Sequence, residues 1–265
     1  MIDTHTHLRG TWTPDGIRRD LDTMDLAKAI VAALPLDHWG GGLTEDVAPL
    51  LKAVPDRLVG LIGIHPPDVE GSLRRIREFG DQPGFIGIKL MPTVGYYCDE
   101  ERFRPIFEEV NRRGWIVLSH CGWCSKGVKT PDLPQSTRFT DPYHIEPLAR
   151  IFPQTDFILA HAGGRIFFPR AAELTAYHEN IYIDTCPGQG TWALKHEDEW
   201  LCILNWKNVL FGTDTCFGMP DSIAHFQPRL TVLRDIILDK GHKDKLDAVL
   251  HGNAARLLAK HGVKV

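Results

Sequence analysis

Short apolar runs recur along this chain and end repeatedly in polar or glycine-rich turns. They cover Met1–His7, Lys28–Leu34, Arg57–His65, Phe85–Met91, Trp115–His120, Asp156–His161, Asn180–Asp184 and Asn208–Asp214. Several are apolar without alternation, such as Ile-Val-Ala-Ala-Leu and Val-Gly-Leu-Ile-Gly-Ile, the pattern of strands covered on both faces. Amphipathic stretches lie between them. Ile17–Met24 opens after Thr13-Pro14-Asp15, Ser72–Phe79 is short and basic, and Arg104–Arg113 and Ile145–Phe152 each precede a strand. Asp221–Lys240 is the longest and carries Leu230, Leu233, Ile237 and Leu238 at helical spacing. Alternation of strand and helix predicts a parallel sheet. Eight such units predict a single (β/α)8 TIM-type barrel of class α/β. An open doubly wound sheet ranks second, because no GxGxxG follows the first run.

The length of 265 residues suits one barrel, and no Ser/Gly linker or low-complexity tract breaks it, so residues 1–265 are expected to form one domain. Lys+Arg number 30 and Asp+Glu 34, a net charge of −4 that provides no basic footprint for nucleic acid. No apolar run approaches the length of a membrane span. Six cysteines are too few for a disulfide scaffold. The start, Met-Ile-Asp-Thr-His-Thr-His, lacks the basic and apolar regions of a secretory signal, so a cytoplasmic protein with free thiols is expected. Cys121 and Cys124 form a lone CxxC, read as two ordinary cysteines because no second pair stands at zinc spacing.

The candidate chemistry sits at the strand ends. His5 and His7 close the first run, Lys89 lies near the end of the fourth, His120 ends the fifth, His161 the sixth and Asp214 the eighth. Positions i and i+2 of a strand share a face, so His5 and His7 project together. Parallel strands of a barrel bring their C-terminal ends to one rim, where these six residues would converge. Each alone reads as a satisfied structural histidine or a surface group. Together they predict a centre for zinc, with iron or manganese also compatible. A buried lysine is unusual in itself, because an unpaired charge there is costly.

The segments Ile-Asp-Thr-His-Thr-His at 2–7, Phe-Ile-Gly-Ile-Lys-Leu-Met-Pro at 85–92, Val-Leu-Ser-His-Cys-Gly at 117–122, Phe-Ile-Leu-Ala-His-Ala-Gly-Gly at 157–164, Val-Leu-Phe-Gly-Thr-Asp at 209–214 and Gly-Asn-Ala-Ala-Arg-Leu-Leu at 252–258 occur in that order. In them the chain resembles the amidohydrolase superfamily, in the branch of amidohydrolase-2-type hydrolases and zinc decarboxylases. The TatD-type nucleases share the first His-x-His and a Gly-Ile-His-Pro like residues 63–66. They typically carry Glu where Lys89 stands, and Glu-Thr-Asp where this chain has Gly-Thr-Asp. The resemblance implies a metal held by His5, His7, His120 and Asp214, with His161 facing the water or substrate. In the two-metal branch a carboxylated Lys89 would bridge the ions, with His120 and His161 on the second. One ion is the favoured expectation, with Lys89 binding substrate as a cation.

The expected reaction is hydrolysis of an amide, lactone or ester by metal-activated water, with Asp214 as proton shuttle and His161 steadying the oxyanion. Non-oxidative decarboxylation of an aromatic or unsaturated acid is the alternative, and a TatD-like nuclease ranks lower. A barrel that only binds a ligand, or a closed structural metal site, fits the complete His/Asp set less well. Arg165, Trp123 and Lys89 are the expected contacts for a small anionic or cyclic substrate, with Arg9 and Lys126 equally readable as solvated loop charges. Trp12, His38, Trp39, Tyr96, Tyr97 and Trp192 could stack on a ring or simply cap the barrel. Cys121, Cys186 and Cys216 follow strands and are read as small rim residues. The loop Cys121–His144 is the expected partial lid. A homo-oligomer would be compatible, with contacts at Ile64–Asp68 or Trp192–Trp206; neither a nucleic acid nor a membrane is expected as partner.

Overall fold

The computed structural model of the protein describes residues 1–36, 42–123, 135–186, 188–219 and 221–265. Nine parallel strands, β1 (Ile2–Leu8), β2 (Lys28–Ala32), β3 (Leu58–Gly63), β4 (Phe85–Leu90), β5 (Ile116–Ser119), β6 (Asp156–Leu159), β7 (Ile181–Asp184), β8 (Val209–Leu210) and β9 (Thr215–Phe217), form one sheet in the order β8-β7-β6-β5-β4-β3-β2-β1-β9. The helices are α1 (Pro14–Thr23), α2 (Thr44–Ala53), α3 (Val69–Gly80), α4 (Arg104–Arg112), α5 (Glu146–Ile151), α6 (Gly164–Tyr177), α7 (Gln189–His196), α8 (Asp198–Leu201), α9 (Ser222–Asp239) and α10 (Asn253–Lys260).

The two sheet ends meet. β8 pairs with β7, while β9, a few residues on, pairs with β1 through Thr6 against Thr215 and Leu8 against Phe217. Between them Thr4 N donates to Phe211 O at 2.9 Å and Asp214 N to His5 O at 2.7 Å. The eighth strand is thus broken in the middle, at the point where Asp214 sits, and its two halves close the barrel. All eight expected strands occur. Their observed ends fall short of the expected ones for β2 to β6 and for β8, so His120, His161 and Asp214 lie one, two and four residues beyond β5, β6 and β8.

Two layers of apolar side chains follow from strands covered on both faces. One, with Ile2, Ile30, Ala32, Leu61, Ile116, Leu118, Ile158 and Leu210, fills the barrel, and α10 plugs its floor with Ala254, Leu257 and Leu258. The other lies between the sheet and the helices and includes Val31, Ile62, Ile88, Leu90, Val117, Leu159 and Ile183. Capping sets the helix starts. Thr13 accepts from Gly16 N and Pro14 opens α1, one turn before the expected Ile17. Asp68 does the same for α3 through Gly71 N.

Register shifts decide which side chains face the barrel interior. Ile2 points inward, so strict alternation would turn Thr4 and Thr6 inward and His5 and His7 outward. The ladder with β2 slips between Asp3 and Thr6, and the two histidines face in. In β4 the ladder with β3 slips between the pairs Gly60–Phe85 and Leu61–Gly87. Beyond that slip Lys89 aligns with Gly63 and Leu118 and turns inward, while Ile88 and Leu90 move to the helix layer.

Part of the expected lid, with Cys124 and Lys126, lies outside the described residues, as do His38 and Trp39. The described remainder of that loop is not structureless: Thr137–Thr140 and Pro142–His144 form short 3-10 turns. The expected contact stretch at Trp192–Trp206 is partly core, since Trp192, Trp200 and Trp206 are half-buried against the helix layer. Among the described residues no helix is long and apolar enough to cross a membrane.

Candidate metal centre

At the rim of the barrel three atoms turn toward one another. His5 Nε2 lies 3.2 Å from His7 Nε2, and Asp214 Oδ1 lies 3.1 Å from His7 Nε2 and 3.7 Å from His5 Nε2. The far side of each ring is already committed. His5 Nδ1 faces Asp184 Oδ2 at 2.8 Å, and His7 Nδ1 faces the carbonyl of Ala32 at 2.6 Å. A carboxylate and a carbonyl only accept, so each Nδ1 carries a proton and each neutral ring presents a bare Nε2 lone pair. Donor atoms 2.0–2.1 Å from a tetrahedral ion stand about 3.3 Å apart. The trio therefore has donor chemistry and spacing compatible with a divalent ion, and the structure brings His5, His7 and Asp214 together.

The sequence signals pass through local structure of some cost. Asp214 has φ 54° and His161 has φ 58°, both in the left-handed region that costs a non-glycine residue about 1–2 kcal/mol. The strain has partners that hold it. Asp214 N is tied to His5 O, and His161 N donates to Asp184 Oδ1 at 2.7 Å. Asp184 itself is fully buried and serves three groups, also accepting from Cys186 N at 3.1 Å. No role for Asp184 was expected, although it ends the seventh run as the other candidates end theirs. Asp3 is a second buried carboxylate, accepting from His5 N, Thr213 N and Thr213 Oγ1.

The other expected residues are placed around this trio in different ways. Lys89 Nζ lies 3.3 Å from His5 Nε2, deep in the barrel. His161 packs its ring 5.5 Å from that of His5 and 4.9 Å from that of His120, and its Nδ1 is buried without a hydrogen-bond partner among the described residues. His120 is buried beside the trio but outside it; its Nε2 faces the carbonyl of Trp123 at 3.3 Å. Trp123 is 58% exposed at the rim. Arg165, at the start of α6, stacks its guanidinium 3.9 Å from the ring centre of Trp192 on α7. Arg9 and Trp12 instead line a side cavity of about 400 Å³ with Glu45 and Asp46. Cys121 and Cys186 are buried free thiols, and Cys216 is half-buried. Burial pushes the thiol of Cys186 up, so it meets His5 Nδ1 at 3.1 Å as a neutral group.

Burial also sets the charge of the imidazoles. It pushes His5 down to about 4, helped by the charge of Lys89 and opposed by Asp184. It takes His120 well below the ordinary histidine range and lowers His161 too. The same cause lowers Lys89, against the pull of Asp214 and Asp184. Burial alone would raise Asp214, but its contact with the His7 ring outweighs it, and the carboxyl is held well below the usual carboxylate range. Neutral imidazoles beside an ionised carboxylate are the states a metal ligand needs. The Asp214 side chain is 39% exposed, so it reaches from the trio into the mouth.

A parallel β/α barrel with an inward His-x-His and an Asp on its broken eighth strand defines a class of metal-dependent enzymes. The family model for amidohydrolases matches residues 2–260, and the chain belongs to that family, whose members are metal-dependent hydrolases and decarboxylases. No curated protein sequence matches the chain. Among solved structures it is similar to an uncharacterised TIM-barrel protein of Bordetella bronchiseptica, with TM-score 0.71 and 18% identity over 99% of this chain and 100% of that one. It is also similar to 2,6-dihydroxybenzoate decarboxylase from Rhizobium, with TM-score 0.67 and 15% identity over 97% and 98%. A third is a probable 2-pyrone-4,6-dicarboxylic acid hydrolase from Acinetobacter baumannii with citric acid bound, with TM-score 0.64 and 14% identity over 97% and 98%. At these identities the structural likeness shows the fold alone.

Proposed function

We propose that this chain is a one-ion hydrolase of a small, anionic cyclic ester or amide. The observation that carries the proposal is the inward trio of His5 Nε2, His7 Nε2 and Asp214 Oδ1 at ion spacing. His5, His7 and Asp214 would hold the ion, with His120 beside them, and zinc matches the His/Asp donor set best. When bound, such an ion polarises a carbonyl and makes hydroxide available near neutral pH. Asp214, which reaches into the mouth, accepts a proton from the attacking water and passes it to the leaving oxygen or nitrogen. His161 steadies the oxyanion, and Lys89 and Arg165 bind the anionic part of the substrate, with Trp123 as a wall.

The likeness to a probable 2-pyrone-4,6-dicarboxylic acid hydrolase supports a cyclic ester with carboxylates. The second reading, decarboxylation of an aromatic acid with Asp214 protonating the ring carbon, has the support of the likeness to 2,6-dihydroxybenzoate decarboxylase. The whole of residues 1–265 would act as one catalytic domain, since α10 plugs the barrel that β1 begins. Its free thiols favour a reducing compartment such as the cytoplasm.

Metal analysis of protein purified without chelator tests the ion. Near one zinc per chain supports the proposal, no transition metal overturns it, and two ions replace it with a bridged pair on carboxylated Lys89. A panel of lactones, cyclic amides and aromatic carboxylates, read by acid release and by CO2 release, then separates hydrolase from decarboxylase.

A further inference from the structure

The loops after β5, β6 and β7 meet at one point above the barrel, and a single side chain ties them. Gln189, the first residue of α7, faces the backbone of Trp123 with its whole carboxamide. Its Oε1 accepts from Trp123 N at 2.7 Å and its Nε2 donates to Trp123 O at 2.8 Å. This is the paired bond of a β-ladder, made by one side chain on one residue of another loop. The same Trp123 carbonyl receives His120 Nε2 at 3.3 Å.

The approach that permits this is close. Gly122 and Gly164 have φ +79° and +73°, and their backbones touch: a Cβ on Gly122 would meet Gly164 Cα at 2.6 Å and the Gln189 amide oxygen closer still. Thr140 Oγ1 donates to Gly122 O at 2.9 Å and fastens the far side of the same turn. Gly122 lies two residues beyond His120, Gly164 three beyond His161, and Gln189 five beyond Asp184.

We propose that Gln189 is a positioning residue: through the backbone of Trp123 it fixes the ring of His120 toward the metal centre and holds the exposed Trp123 at the mouth. The carbonyl of Trp123 only accepts, so His120 Nε2 carries its proton and the neutral ring leaves Nδ1 bare. The tautomer of His120, and so the atom it offers to an ion, is set by a carbonyl that Gln189 keeps in place. The part of the inference that concerns the ion rests on the proposed metal centre. The part that concerns the loop does not.

The test compares the wild type with Gln189→Ala and with Gln189→Met, which keeps the side-chain volume and removes both hydrogen bonds. Amide hydrogen exchange of the peptide carrying Trp123, measured on metal-free protein, is expected to speed up about tenfold in both variants, with the thermal midpoint held and the β-strand peptides unchanged. Zinc affinity, measured by competition with a chromophoric chelator, is expected to fall about tenfold or more in both. Wild-type exchange at Trp123 in either variant overturns the proposal, and so does a defect in Gln189→Ala that Gln189→Met lacks, because packing would then be the cause. Faster exchange with unchanged zinc affinity overturns the positioning of His120. Failure of the wild type to bind zinc overturns the metal centre instead, and the exchange readout still decides the clamp.

Discussion

The Nε2 atoms of His5 and His7 lie 3.2 Å apart, with their Nδ1 protons already committed in hydrogen bonds to Asp184 and to the carbonyl of Ala32. Two neutral rings held in this way repel unless a cation stands between or beside them.

Asp184 supports the His5 side of this pair. Replacing it with Asn keeps the shape but removes the charge that meets His5 Nδ1, His161 N and Cys186 N. Zinc affinity is expected to fall about 10- to 100-fold in Asp184→Asn. A chelator competition that returns the wild-type affinity would show that the carboxylate does not orient His5.

Asp214 has a different part. Asp214→Asn keeps an oxygen toward His5 and His7 but cannot accept a proton. The variant is expected to retain its ion and to lose turnover by at least about 100-fold. Wild-type rates on any substrate found for the enzyme would remove Asp214 from proton transfer.

Acid should loosen the metal-free protein in a defined window. His5 sits at about 4 when folded against an ordinary 6.5, and His120 and His161 are lowered with it. The unfolded chain then binds more protons at these histidines than the folded one between those values, so their contribution to stability is full above about pH 6.5 and drains as pH falls toward 4. Asp3 works in the opposite sense, since burial raises it to about 7 despite its bonds to Thr213 and His5, but it is one group against three. The urea midpoint of chelator-treated protein should fall steadily from pH 7 to pH 4; a flat profile contradicts the buried neutral imidazoles.

The opposite end of the barrel has its own clasp. His261 Nδ1 faces Gly114 O at 2.6 Å and Nε2 faces Asp156 Oδ2 at 2.7 Å, while Lys260 Nζ takes Asp156 Oδ1 at 2.8 Å. Both ring nitrogens face oxygen acceptors, and the ring ties the end of α10 to the start of β6. His261→Ala is expected to cost about 2–3 kcal/mol of unfolding free energy and to leave the zinc stoichiometry unchanged. A loss of zinc in that variant would link the floor of the barrel to its rim.

The apolar runs and their polar ends were enough to predict the eight strands and the parallel barrel, and to single out His5, His7, Lys89, His120, His161 and Asp214 as candidates at the strand ends. They could do so because burial on both faces and the common direction of parallel strands depend on composition and order alone. Which face each side chain takes was decided elsewhere. Alternation from Ile2 and from Ile86 would turn His5, His7 and Lys89 away from the barrel, and only the slips in the ladders with β2 and β3 turn them in. The left-handed turns at His161 and Asp214, the threefold use of Asp184 and the grip of Gln189 on Trp123 join residues far apart in sequence. No local pattern encodes such contacts, because the hydrogen bonds that stabilise them exist only once the barrel has closed.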